Sequence, residues 1–330
     1  MKRRTALALL AAPAIMTVAR RSGAQTRERI TYAYLLDPAY DAVTWALMNG
    51  KVTSDLITVE ARPLAIPQLI QATAAKQYDV IMTAVIGIPP AAARGLQLRV
   101  MSTALQVAPA GEGAGVWVRR DSALQRPQDL RGKTLASYAL RSTGHTQVRV
   151  ALARKYGLNA ALEGGDFRQV EIQAPNLPGA LTAGQVEAAT LIHSQAYRAA
   201  QSGEFRVIAE TSRDNIELFN MRFVSALNVA YPERLSAKPE AYREFNRMLR
   251  ASVQYALANR AEVFGAVGRQ NNLEPGFFEW WFEKNSQVPA TFEENHAVAI
   301  MRLFELSKEM GIIQDYPDIR TLVWEHALRS

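Results

Sequence analysis

Chemistry in this 330-residue chain has few residue types to draw on: four histidines, hydroxyls, carboxylates and no cysteine. The lack of cysteine removes thiolate nucleophiles, disulfides, iron–sulfur ligation and cysteine zinc sites together. It also removes lipid attachment through an N-terminal cysteine. His145, His193, His296 and His326 never pair at metal-ligand spacing and no H-E-x-x-H run occurs, so neither a metal nor another cofactor is expected. Ser142 and His145 stand three apart, as part of a hydrolase constellation might, but an orienting third group and an oxyanion hole are missing. A serine before a helix is ordinarily its cap. Gly132-Lys133-Thr134 ends as a phosphate loop does, yet Pro127 takes the place of its first glycine and a strand follows where a helix is needed. Gly111, Gly113 and Gly115 have the wrong spacing for a dinucleotide loop, and Val116-Trp117-Val118 continues as strand. Binding is therefore the expected activity, and no catalytic residue is assigned.

The elements that would position a site alternate between strand and helix. Strands are expected over 30–36, 56–61, 79–85 and 98–105, with helices over 39–49 and 66–76 between them. After a Pro/Gly/Ala-rich crossing at 108–115 a second series begins. It has strands over 134–138, 169–173, 188–193 and 205–209, and helices over 143–156, 177–183 and 195–202. The polar stretch 210–220 reads as a return linker and 223–230 as a strand of its own. Beyond Pro239 only helices are expected: one ending near Asn259, then 261–270, 275–283, 291–310 and 318–328. The Trp280-Trp281-Phe282 cluster reads as packing rather than a ligand cage. Two parallel α/β layers follow from this pattern.

The N-terminus has the character of a secretory signal. Lys2, Arg3 and Arg4 precede an apolar run to Ala19, and Ser22-Gly23-Ala24 supplies small residues for cleavage. Losing residues 1–24 would remove five positive charges and no acid, lowering the formal net charge from +7 to +2. That leaves no electrostatic footprint for nucleic acid. With 48% hydrophobic and 21% charged residues the whole chain has a globular balance, and no later run is long enough to span a membrane. The expected product is a soluble, unanchored periplasmic protein.

Order and spacing of several segments carry a resemblance. Trp117-Val118-Arg119-Arg120-Asp121-Ser122 followed by Pro127-Gln128-Asp129-Leu130-Arg131-Gly132-Lys133-Thr134 resembles the start of the second lobe in solute-binding proteins of ABC transporters. Arg141-Ser142-Thr143-Gly144-His145 is similar to the loop that opens a helix in the nitrate/sulfonate/taurine family, which also includes thiamine-precursor binders. Ala180-Leu181 with Gly184-Gln185-Val186-Glu187-Ala188 matches another element of that family, as do Tyr78-Asp79-Val80 and Ile88-Pro89-Pro90 in the first lobe.

The resemblance implies a type II periplasmic-binding fold: two α/β lobes, a ligand cleft between them and a helical C-terminal segment. On that frame the first lobe takes residues 25–112, the second 113–212, and 213–330 returns to the first. The implied partners are a small solute and a transporter permease, with the protein a monomer.

Ligands in such sheets sit beyond the carboxyl ends of strands and beside helix N-termini, which favour an anionic head group. The candidate ligand residues are therefore Asp37, Tyr40, Thr83, Ala84, Arg141, Ser142, Thr143, Gly144, His145, His193 and Ser194. Arg141 has the chemistry to clamp a carboxylate or sulfonate, and equally to be a solvated surface charge. Ser142 and Thr143 suit capping as well as ligand contact, Tyr40 suits packing, and His193 suits a hydrogen-bonded core position. Ile192-His193-Ser194-Gln195-Ala196 replaces the family's Trp-Glu-Pro type sequence, so the second lobe's ligand face departs from the common pattern. The cysteine-rich motif of pyrimidine-handling members is absent. An enzyme on the same bilobal scaffold is the rival reading.

Overall fold

In the computed structural model, which describes residues 27–329, eleven strands form two sheets. The segment expected as a signal lies outside the described residues. The first sheet uses β1 (Glu28–Leu35), β2 (Ile57–Leu64), β3 (Val80–Ala84) and β4 (Arg99–Val107). The second uses β5 (Gly115–Arg119), β6 (Thr134–Ser137), β7 (Arg168–Glu171), β8 (Ala188–Leu191) and β9 (Phe205–Ala209). The chain then returns to the first sheet with β10 (Val224–Ala230) and the short β11 (Ser286–Gln287).

Strand composition accounts for the order. The last four residues of β1 are buried on both faces, and β1 lies between parallel neighbours β2 and β3. β2 carries Glu60, Arg62 and Pro63 at exposed positions and forms the sheet edge. β10 inserts antiparallel between β3 and β4, giving the order β11-β4-β10-β3-β1-β2. The second sheet runs β7-β6-β8-β5-β9, with β5 antiparallel to both neighbours. Each sheet is thus mixed, where the sequence pattern suggested parallel layers: the strands that enter each sheet after a crossing, β5 and β10, run against their neighbours, as does the short β11.

Three segments differ from expectation. Residues 210–220 hold a helix, Thr211–Phe219, whose polar residues are structural partners and not a solvated linker. Thr211 Oγ1 donates to the Ala114 carbonyl (2.9 Å), and Ser212 Oγ accepts from the Ala114 N–H (2.7 Å). Asp214 accepts from Lys155 Nζ at 2.6 Å and from the Tyr156 hydroxyl at 2.8 Å.

The segment 318–328 forms only a 3₁₀ turn, Ile319–Leu322. The chain then lies against β4, with the Trp324 N–H on the Val100 carbonyl at 2.9 Å, so burial of Ile319 and Trp324 outweighs helix propensity.

The helix Pro275–Trp280 gives way to a π-turn over Trp281–Asn285. The wider turn buries Trp281 and Phe282 together and brings Asn285 against the first crossing, where its Nδ2 donates to the Glu112 carbonyl at 2.9 Å.

Candidate functional site

The carboxyl ends of β1, β3, β4, β6 and β8 converge on one cleft between the lobes, enclosing about 770 Å³ that is partly open to solvent. Sheet polarity explains why: parallel strands deliver their carboxyl ends, and the following loops, to the same side. The first lobe supplies a mainly apolar wall of Leu35, Ile66, Leu69, Ile70, Met82 and Leu105. The second lobe supplies polar groups at two helix openings, around Ser142-Thr143-Gly144 and at His193. Among the described residues lining the cleft there is no Asp, Glu, Lys or Arg.

At the first opening, the helix Thr143–Tyr156 is capped by Ser142, whose Oγ accepts from the His145 N–H at 3.2 Å. The Thr146 N–H is taken by the Ser142 carbonyl at 3.1 Å. The N–H groups of Thr143 and Gly144, like the first donors of any helix, have no intrahelical acceptor and stand at the cleft wall. Thr143 Oγ1 reaches across to the first lobe and accepts from the Ile86 N–H at 3.2 Å. Gly144 has to be small: a Cβ there would lie 2.2 Å from the Tyr138 hydroxyl.

The second opening is built differently. Helix His193–Ser202 has no side-chain cap, and His193 itself sits in the left-handed region at φ +48°. A non-glycine residue held there is strained and needs surrounding contacts to persist. Those contacts come from the opposite lobe. Asp37 Oδ2 lies 2.8 Å from His193 Nδ1, although the approach is too oblique for a well-formed hydrogen bond. The Trp281 ring packs edge-on against the imidazole with centroids 5.7 Å apart. Both His193 and Asp37 are more than nine-tenths buried.

Further contacts draw the lobes together around the cleft. Gln147 Nε2 donates to Ser225 Oγ at 3.2 Å, and Arg198 donates to the Asn272 carbonyl at 2.9 Å. Tyr197 packs on Phe277 and Trp280. Arg154 pairs with Glu309 on the far side.

Of the eleven residues expected at the site, Thr83, Ala84, Ser142, Thr143, Gly144 and His193 line the cleft. The other five do not. Asp37 stands behind His193 and caps the helix Pro38–Met48 by accepting from the Ala39 N–H at 2.9 Å. Tyr40 is buried in the first lobe, its hydroxyl on the Ala104 carbonyl at 2.5 Å and its ring against Trp281. Arg141 is exposed and outside the lining, because the Ser142 cap directs the chain so that the preceding residue faces solvent. Ser194 also lies outside the lining, partly buried in the first turn of its helix.

His145 points into the second lobe, with Nε2 at 2.7 Å from Gln169 Oε1 on β7. Burial pushes its pKa down to about 4, opposed by the Gln169 hydrogen bond, with nearby Arg149 adding a lesser downward push.

Sequence reasoning missed the apolar wall, because Leu35, Leu69 and Leu105 look like ordinary core residues. It also missed Gln147 one turn into the helix, and Asn285 and Ser286 at the π-turn. A glutamine facing inward in an otherwise apolar helical stripe was the one available signal. Among the described residues no group of three or more His, Cys, Asp or Glu is placed to hold a metal ion. No helix among them is long and apolar enough to cross a membrane.

A search of curated proteins finds no match. Solved structures do match over nearly the whole chain. The periplasmic aliphatic sulphonate binding protein SsuA of Escherichia coli superposes with a TM-score of 0.69 at 15% identity, covering 92% of this chain and 99% of that one. The alkanesulfonate-binding protein SsuA of Xanthomonas axonopodis pv. citri, solved with MOPS, gives 0.69 at 19% identity, covering 90% and 98%. A Candida albicans protein described as having the generic periplasmic binding protein fold gives 0.70 at 13% identity, covering 92% and 98%. At these identities the likeness establishes the fold: two α/β lobes of the type II periplasmic-binding kind. A protein-family model described as NMT1/THI5 like matches residues 61–263, from the first sheet through the whole second lobe and into the C-terminal helices, and on that match the chain belongs to the NMT1/THI5-like family.

Proposed function

We propose that this protein is the periplasmic solute-binding subunit of an ABC importer, capturing a small organic molecule by lobe closure and presenting it to a membrane permease as a monomer. One observation carries the reading: a mainly apolar cleft is walled by both lobes, and contacts such as Asp37–His193 and Ile86–Thr143 can exist only when the lobes are together. Hinge closure of this kind buries a ligand and creates a distinct shape for a partner to read. The sulfonate-binding structures of the same fold support the solute-capture role. A sulfonate or carboxylate clamp by Arg141 is not part of the proposal, since that side chain lies outside the cleft lining.

The test is isothermal titration of the purified protein with a broad solute panel, paired with small-angle scattering. Binding should be one-to-one and should reduce the radius of gyration. A folded protein that neither binds any solute nor changes shape rules the reading out.

A second reading keeps the scaffold but makes it an enzyme, and the Asp37–His193 pair favours it, because an oriented imidazole facing a cleft is the geometry of a general base. Conversion of a cleft-bound compound, abolished in His193→Ala, would support that alternative.

A further inference from the structure

We infer that the cleft selects an uncharged solute bearing both a hydrogen-bond donor and an acceptor, a carboxamide-type group, on an apolar body, and that His193 reads the donor. The inference rests on the solute-binding reading and narrows its ligand class.

Charge is the first ground. Among the described residues no cationic side chain lines the cleft. Arg141 and Arg213 flank the lining residues Ser142 and Ser212 but are not themselves in the lining, while behind the wall Asp37 lies 2.8 Å from the His193 ring and Asp41, whose pKa burial raises, accepts from the Tyr34 hydroxyl at 3.3 Å. An organic anion closed between the lobes would lose its hydration, meet no counter-charge and face this negative side. Helix N–H groups could offset only part of that.

The tautomer of His193 is the second ground. A carboxylate oxygen 2.8 Å from Nδ1 would repel a lone pair, so Nδ1 carries the proton. The neutral ring then turns a lone pair outward at Nε2, an atom with no protein partner among the described residues, on a side chain that lines the cleft and is only 7% exposed. Nε2 is thus an acceptor open to the cleft, which a solute N–H or O–H can pair as the lobes close on it. On the same second-lobe wall the N–H groups of Thr143 and Gly144 are donors that want a carbonyl. A carboxamide offers both at once, and the apolar wall of Leu35, Leu69, Met82 and Leu105 takes the body. Leaving either of these groups unpaired beneath a bound solute is what would discriminate against other solutes.

Position 193 is fixed for this purpose by strain. The left-handed backbone there is held by Asp37 and Trp281 of the other lobe, so the ring takes its reading position only as the lobes meet. Recognition and closure are coupled through one residue.

The experiment titrates the full exported chain at pH 8, where an imidazole is ordinarily neutral, with matched trios on linear, branched, cyclic and aromatic bodies. Each trio is a primary carboxamide, the corresponding carboxylate and the corresponding sulfonate. On bodies that bind, the amide is expected to bind at least about tenfold more tightly than either anion, the scale of one buried hydrogen bond. His193→Ala should weaken the amide roughly tenfold while leaving the anions within about twofold. His193→Gly, which adopts the left-handed backbone freely and carries no acceptor, is the folded control and should likewise lose the amide preference. Anions binding more tightly than amides, or an amide preference that survives both substitutions, overturns this inference and leaves solute capture standing. No binding by any member, with scattering unchanged, overturns both.

Discussion

Two histidines open two helices in the same lobe, and they end in opposite roles. His145 and His193 each follow a parallel strand, β6 and β8, within the first turn of a helix. At the first opening a serine cap occupies the turn, so the helix begins in ordinary geometry and its third residue faces inward. His145 becomes a fully buried tie to β7, kept neutral by desolvation. At the second opening no cap exists. His193 takes the strained position itself, and the other lobe's carboxylate and indole hold it at the cleft. At the capped start the histidine is committed to its own lobe while Thr143 ahead of it still reaches Ile86 of the first, whereas at the uncapped start the histidine itself is held by the neighbouring lobe.

The largest effect that sharpens this contrast belongs to His145. Its folded-state pKa of about 4 lies below the ordinary value of roughly 6.5, so between those values the unfolded chain binds more protons than the folded one. Stability should therefore fall as pH drops from about 6.5 to about 4, by on the order of 3 kcal/mol from this group. Urea unfolding at pH 7, 5.5 and 4 measures it, and His145→Gln should flatten that part of the profile. An unchanged slope in the variant breaks the assignment of His145 as a buried neutral tie.

Next in size is Asp37→Ala, which removes both a helix cap and the contact to His193 and should cost about 2 kcal/mol of unfolding free energy. Asp37→Asn keeps the cap, so it should cost about 1 kcal/mol or less. No loss in Asp37→Asn would show that the carboxylate beside His193 contributes nothing, and equal losses in the two variants would show that the cap does not. Ser142→Ala should cost about 1 kcal/mol by thermal or denaturant unfolding, the usual value of a serine cap. The smallest effect is Arg141→Ala: exposed and outside the cleft lining, it should change stability by less than about 0.5 kcal/mol and ligand affinity by less than twofold. A tenfold loss of affinity there would return the anion clamp to the site.

Much of the frame was legible in the residues. Helix Thr143–Tyr156 is bounded by Ser142 and by Gly157 in the left-handed conformation, with Arg154 and Lys155 in its last turn, all local signals. β9 likewise stands at its expected limits. Residues 210–220 were misread because Thr211, Ser212 and Asp214 are polar through their pairing with Ala114, Lys155 and Tyr156, partners remote in sequence. The site divided in the same way. Loops after strands pointed to Thr83, Thr143 and His193, but burial decided that Tyr40 and His145 serve the core, and the Ser142 cap decided that Arg141 faces water.

The sequence by itself determined what is local: where a helix with its own cap and stop, such as Thr143–Tyr156, begins and ends, which strands are buried on both faces, and that histidines, hydroxyls and helix N-termini would be the polar groups of any site. Only the tertiary structure decided which histidine faces the cleft. That choice depends on a carboxylate at position 37 and an indole at position 281, brought to His193 from another lobe, and no periodicity or propensity in the chain encodes such a meeting.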